Sequence, residues 1–142
     1  TMSIATYDPS EVLFSFGDIL FSGYAEGTFI VVEMDEDAFT KYTGSDGEVA
    51  RARNKNKGGS VTVTLMQTSP VNDLLSAVAA ADELTGTGVK PVFIKDNLGT
   101  TKISVANAWI KKIANSEFAK ELGTREWVID LAKVQQNVGG SL

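Results

Sequence analysis

The chain has 142 residues, 43% of them hydrophobic and 22% charged, with a net charge of −5, which fits one globular domain over residues 1–142. It holds no cysteine and no histidine; disulfides, thiol catalysis, imidazole metal ligands and histidine-based triads are excluded, and the commonest general base is missing. Catalysis would have to run on carboxylates and lysine alone, the acidic balance speaks against a general nucleic-acid binder, and no apolar run approaches the ~18 residues of a membrane-spanning helix.

Residues 1–10 read as an irregular N-terminal arm ending at Asp8-Pro9-Ser10, without the cationic stretch and apolar centre of a secretory signal. Residues 12–16 read as a first strand, Gly17-Asp18 as a two-residue turn and residues 19–21 as the return strand. Residues 23–27 turn again. Residues 28–34 are β-branched and almost continuously apolar, which predicts a strand buried on both faces. An acidic knot of Glu33, Asp35, Glu36 and Asp37 follows, then a short strand at 38–43 and a turn at Gly44-Ser45-Asp46-Gly47.

Arg51, Arg53, Lys55 and Lys57 then recur at every second position. A strand alternates its side chains between two faces, so this spacing predicts a cationic row along one face or edge of a hairpin. The hairpin closes at Lys57-Gly58-Gly59-Ser60 and returns through residues 61–65, so that about 41–60 forms one long charged hairpin loop. Charge is segregated along the chain. Ten of the eighteen acids lie in residues 1–50, and four of the thirteen cations in residues 51–57.

A helix is predicted at about 70–85, with Ser69 as N-cap, Pro70 at the first helical position, Asp73 near the positive end of the dipole and Gly86 as the stop. Val71, Leu74, Leu75, Val78 and Ala79 form its apolar stripe. Strands follow at 91–95 and 101–112, the latter with Ile103, Val105 and Trp109 on one face. A turn separates them at 96–99. A short strand is expected at 116–120 and a final one at 124–134, with Trp127, Ile129 and Leu131 on one face. The pattern is mainly β: a β-sandwich or barrel of about eight to ten strands with one flanking α-helix. Phe14, Phe16, Phe29, Trp109 and Trp127 are expected in the core.

The carboxylates at Glu33, Asp35, Glu36 and Asp37 lack the longer, glycine-hinged spacing of a calcium loop, and a solvated or docking turn explains them more simply. The cationic row lacks the interleaved aromatics of a nucleic-acid surface. Docking to a neighbouring subunit ranks first for it, and protection of a strand edge second. Gly123-Thr124-Arg125-Glu126-Trp127 reads equally as a recognition motif or as a turn into a strand with Arg125 and Glu126 exposed. Candidate docking residues are therefore Glu33, Asp35, Glu36, Asp37, Lys41, Asp46, Glu48, Arg51, Arg53, Lys55, Lys57, Arg125 and Glu126, with no catalytic or metal-binding set and no cofactor.

Several segments together resemble the tail tube proteins of contractile-tailed bacteriophages. These are Phe14-Ser15-Phe16-Gly17, Gly23-Tyr24-Ala25-Glu26-Gly27-Thr28-Phe29-Ile30, Asp35-Glu36-Asp37-Ala38-Phe39-Thr40-Lys41 and Gly47-Glu48-Val49. Further along are Leu65-Met66-Gln67-Thr68-Ser69-Pro70-Val71-Asn72-Asp73 and Gly123-Thr124-Arg125-Glu126-Trp127. The likeness runs from about Tyr7 to Gly140. It implies a virion structural protein, not an enzyme, whose copies join sheets into hexameric rings that stack as a hollow tube. The implied partners are the tail sheath, tape-measure, baseplate and tail terminator proteins, with the genome passing through the lumen unbound and assembly in the host bacterial cytoplasm. The tube of type VI secretion or of another contractile injection particle is the near alternative. A β-sandwich adhesin or ligand-binding module, and a small carboxylate hydrolase, are the distant ones.

Overall fold

A computed structural model describes residues 12–25, 29–97, 99–116 and 118–139. The expected arm at 1–10 lies outside them, as does part of the turn at 23–27. Ten strands and one helix follow in the order β1 (Val12–Phe16), β2 (Ile19–Leu20), β3 (Ile30–Met34), β4 (Phe39–Thr43), β5 (Val49–Arg53), β6 (Gly59–Met66), α1 (Val71–Thr85), β7 (Lys90–Asp96), β8 (Lys102–Lys112), β9 (Thr124–Leu131) and β10 (Val134–Asn137).

Eight strands form one antiparallel sheet in the order β2-β1-β7-β8-β9-β6-β3, with β10 also paired to β8. β9 and β10 run in succession along one edge of β8: Leu131 lies opposite Ala108, and Val134 opposite Val105. The two ends of the sheet are drawn together by the short stretch after β2. Tyr24 bridges Leu65, while Gly23 accepts from the Met66 N–H and Ala25 donates to Thr64 at 2.8 and 3.1 Å. Leu20, at one end of the strand order, is only four residues from Tyr24, a reach of at most about 14 Å. The sheet is thus curled into a barrel-like wall.

Period-2 side chains fill its interior. Phe14 and Phe16 come from β1, Val61, Val63 and Leu65 from β6, Val92 and Ile94 from β7, and Trp127, Ile129 and Leu131 from β9; all are buried in one cluster. α1 adds Val71 and Leu75 to it, with Ala79 buried and Val78 half-buried along the same stripe. Each such burial contributes roughly 1.5–3 kcal/mol for a full-sized side chain.

Several expectations are corrected by the fold. β3 is the outermost strand beyond β6, so only its Ile30, Val32 and Met34 face packs inward while Val31 and Glu33 are exposed. β8 carries one extra residue against β7 between Val105 and Ala108. This bulge moves Ala108 into the core position and leaves Trp109 half-buried. Phe29 is also only half-buried, its ring 4.7 Å from that of Tyr24. The described residues of 116–120 form no strand, and the last predicted strand breaks at Ala132-Lys133 into β9 and β10.

The helix begins at Val71 with Pro70, already in helical conformation, as its cap; Ser69 Oγ accepts the Val71 N–H at a long 3.4 Å and donates to the Ser22 carbonyl at 2.8 Å. Leu74 proves exposed. Gly86 ends the helix at φ 68°, a left-handed turn in which a side chain would be strained.

Asn72 locks this corner. Its Nδ2 donates to the carbonyls of Met66 (3.1 Å) and Ser69 (3.0 Å), and its Oδ1 accepts the Trp127 indole N–H at 2.9 Å. Gln67 completes the seam with β9: its N–H donates to the Gly123 carbonyl at 3.0 Å, and its Oε1 accepts the Gly123 N–H at 3.1 Å.

Two stability outcomes follow. Asn72→Ala strands the Trp127 N–H and carbonyl groups at the helix start. At about 1–3 kcal/mol for each buried group left unpaired, it lowers the urea midpoint. Asn72→Asp costs more, because a carboxylate then faces carbonyl oxygens.

Tyr24 carries a buried hydroxyl with no hydrogen-bond partner among the described residues, and burial pushes its pKa up to about 12. Unfolding returns it toward 10, so its contribution to stability is fully present below pH 10 and is lost as pH rises from 10 to about 12. Tyr24→Phe therefore raises the melting temperature near neutral pH and flattens the alkaline decline, as thermal scans across pH 7 to 11 would reveal.

Candidate functional site

β4 and β5 stand apart as their own two-stranded sheet. This is the main departure from the sequence expectation: β5 turns back on β4 across Gly44-Ser45-Asp46-Gly47, not on β6, which is paired instead to β3 and β9. The turn is built locally. Gly44 donates to the Glu48 carbonyl at 2.7 Å, Asp46 Oδ1 accepts the Glu48 N–H at 3.1 Å, and Gly47 adopts φ 87°, which favours glycine.

Register assigns the arm two unlike faces. Phe39 lies opposite Arg53, Lys41 opposite Arg51, and Thr43 opposite Val49; Thr40 pairs with Ala52 and Tyr42 with Ala50. One face thus carries Lys41, Arg51 and Arg53 with Phe39 and Val49. The other carries only neutral side chains around Tyr42. The Arg51 guanidinium lies 4.1 Å from the Phe39 ring centroid, a cation–π contact worth roughly 0.5–1 kcal/mol in the open. Against it, Lys41 and Arg51 are like charges directly across the ladder, a destabilising placement.

Every residue of both strands is exposed, with Val49 at 64% and Tyr42 at 59%. A lone two-stranded hairpin is marginal in water. Sequence reasoning passed over Phe39, Tyr42 and Val49; the available signal was large apolar side chains within a polar hairpin.

Lys55 and Lys57 do not continue the row on a strand. Asn54 Oδ1 accepts the Asn56 N–H at 3.1 Å, and Asn56 Oδ1 accepts the Gly58 N–H at 2.9 Å. These successive Asx turns carry the chain off the arm and into β6.

The acids sit at the other leg of the arm. Glu33 is exposed on β3, while Asp35, Glu36 and Asp37 form the exposed bend leading into β4. Glu36 and Lys57 line one cleft of about 290 Å³ at the base, with Met34, Asn56, Val134 and Gln136. Asp46 and Glu48 are exposed at the tip.

Arg125 and Glu126 lie elsewhere, on β9 opposite Leu65 and Thr64. Arg125 is half-buried, with its guanidinium 5.7 Å from the Phe118 ring, and Glu126 is exposed. The thirteen candidate residues thus divide into an arm with its acidic base and, separately, the first residues of β9 in the main sheet. Among the described residues no group of three or more acids is placed to hold a metal ion, and no helix is long and apolar enough to cross a membrane.

The opposed charge is concentrated. Residues 39–57 carry five cations and two acids, a net of +3, so the rest of a chain at −5 carries −8. Such a subunit is suited to a polar surface contact.

Comparison with known proteins gives the same direction. The chain is 34% identical over 122 residues to "Structural protein ORF10" of Pseudomonas phage KPP10, spanning 84% of this chain and 70% of that protein. Its fold is similar to the tube terminating cap of the anti-feeding prophage (TM-score 0.66, 12% identity, 96% of this chain and 95% of that one). It is also similar to chains of an extracellular contractile injection system, PVC. Its sheath/tube terminator gives a TM-score of 0.62 at 13% identity, over 96% of this chain and 100% of that one. A chain of its sheath-tube complex gives 0.60 at 12% identity, over 93% and 91%. Residues 13–139 match the family described as Bacteriophage PhiTE tail tube protein. The chain therefore belongs to this family of phage tail tube proteins, structural components of the virion and not enzymes.

Proposed function

We propose that this protein folds as a single domain and polymerises, as stacked hexameric rings, into the inner tube of a contractile phage tail. The tube conducts the phage genome without holding it. The observation that carries this reading is the β4–β5 arm: an exposed hairpin with three cations on one face, projecting from a body of opposite charge. An arm that binds a different surface on the next copy makes a heterologous contact. Repeated with a rotation and a rise, such a contact generates an open helical tube.

The acidic knot at Glu33, Asp35, Glu36 and Asp37 is the kind of surface the arm of the next copy would meet. Lys41, Arg51 and Arg53 supply the arm's charge, with Lys55 and Lys57 at its root and Asp46 and Glu48 at its tip. Arg125 and Glu126 belong to a second contact region on the main sheet. A lumen whose wall is acidic would repel DNA phosphates, whereas a basic wall would gain affinity through counterion release. Partners beyond other copies of itself are the tail sheath outside, the tape-measure protein inside during assembly, and the baseplate and terminator proteins at the two ends. Assembly takes place in the host cytoplasm.

Electron microscopy of the purified protein over a range of concentration and salt tests this directly: hollow tubes or stacked rings are expected, and a monomer under every condition, even with its baseplate initiator, would overturn it. Arg51→Glu/Arg53→Glu subunits remain folded, since both side chains are exposed, but lose polymerisation at low and moderate salt. Normal tubes from this variant would remove the arm from the contact. Hydrogen exchange provides the matching readout. Residues 39–53 exchange as freely as loops in the free subunit, while β6 and β9 are protected, and the arm gains protection on assembly.

A further inference from the structure

α1 has two apolar stripes, and the core uses only one. Val71, Leu75 and Ala79 are buried, whereas Leu74, Ala77, Ala81 and Leu84, spaced by three, four and three residues, are exposed. That spacing is the narrow seam with which a helix packs against a second element. The helix carries Asp73, Asp82 and Glu83 and no cation at all. Acids in its last turns oppose the dipole. Asp82 is engaged by the Gly88 N–H at 3.1 Å, but Glu83 is exposed beside Leu84. The outer end of α1 is therefore apolar and acidic, a surface that favours a cationic neighbour.

A surface of the opposite character lies between β8 and β9. Leu84 and Phe118, each 84% exposed, are the two most exposed large hydrophobic side chains among the described residues. Ile113 and Leu122 are exposed on the same loop. The stretch 111–125 carries four cations and two acids, and the Arg125 guanidinium lies 5.7 Å from the Phe118 ring.

We propose that the Phe118 loop of one copy docks on the outer Leu74–Leu84 stripe of α1 in a neighbouring copy, with Lys120 and Arg125 beside Glu83. This rests on the self-assembly reading and names one of its contacts, distinct from the arm. The two surfaces are unlike, so each copy offers one loop and one helix, and the contact propagates instead of closing as a dimer. Apolar side chains supply the burial, and the charges select the partner face.

The cysteine-free chain allows a clean test. Full-length Leu84→Cys and Phe118→Cys variants are mixed under assembling conditions with a mild oxidant and separated on non-reducing gels. The expected result is a cross-link between the two variants well above either alone, and a ladder from the double variant. Glu83→Lys or Lys120→Glu added to the pair cuts the cross-linked yield several-fold, and both together restore it. Tubes that form without the mixed cross-link, or Leu84 variants that link only to themselves, overturn this contact while leaving the tube reading intact. Absence of both tubes and cross-links overturns the two together.

Discussion

The polar knot around Asn72 is the constraint on which the remaining architecture depends. One side chain satisfies the carbonyls of the chain leaving β6, holds the first turn of α1, and pairs the indole N–H of the largest core residue, Trp127. Without it, burying Trp127 would leave a donor unpaired, and the N-terminal end of α1 would be held only by the weaker bonds of Ser69. Gln67 repeats the device one step earlier by pairing both polar groups of Gly123. The direction of α1, and hence which stripe it turns outward, is set by these bonds as much as by apolar packing. The last two segments carrying the tail-tube likeness, residues 65–73 and 123–127, are the ones joined here.

That corner is rigid, and the arm is its opposite. The barrel-like wall is stabilised by a continuous core and by pairing along both edges of most strands. The arm has one pair of strands, no buried residue in either strand, and two cations facing each other across its ladder. A free subunit gains little from ordering such a hairpin. In the proposed contact, an acidic surface would change this balance by offsetting the Lys41–Arg51 repulsion and covering Phe39 and Val49. The features that are unfavourable in the isolated chain are the ones that, in the proposed contact, would make the arm selective for a partner.

Most elements were legible because their signals are local. Period-2 runs marked β1, β6 and the Trp127–Leu131 face of β9, and Pro70 and Gly86 bracketed α1 to within a residue. The errors have physical causes. Arginine and lysine alternate evenly from 51 to 57, but Asn54 and Asn56 offer side-chain acceptors that end the strand after Arg53, so only half of the row lies on the ladder. The bulge in β8 shifts Trp109 out of phase without any glycine or proline to announce it. Strand partnership is a long-range property: nothing near residues 49–53 distinguishes pairing to β4 from pairing to β6. The candidate residues were found by charge, so the exposed apolar groups beside them, from Tyr42 to Leu84 and Phe118, went unmarked.

Charge separation also explains why a proposed tube of this kind would have a direction. Bodies carrying −8 repel one another, over a screened range of about 8 Å at physiological salt. Body-to-body approach is therefore unfavourable until apolar surfaces touch. Arm-to-arm approach is unfavourable for the same reason, since each arm is +3. Arm-to-body approach brings opposite net charges together, and it is inherently head-to-tail. A symmetric two-fold contact would need one patch to complement itself, and neither the arm nor the acidic face does so. The same asymmetry that keeps free subunits from pairing face to face leaves a polar, repeating stack as the arrangement in which both kinds of charge are neutralised.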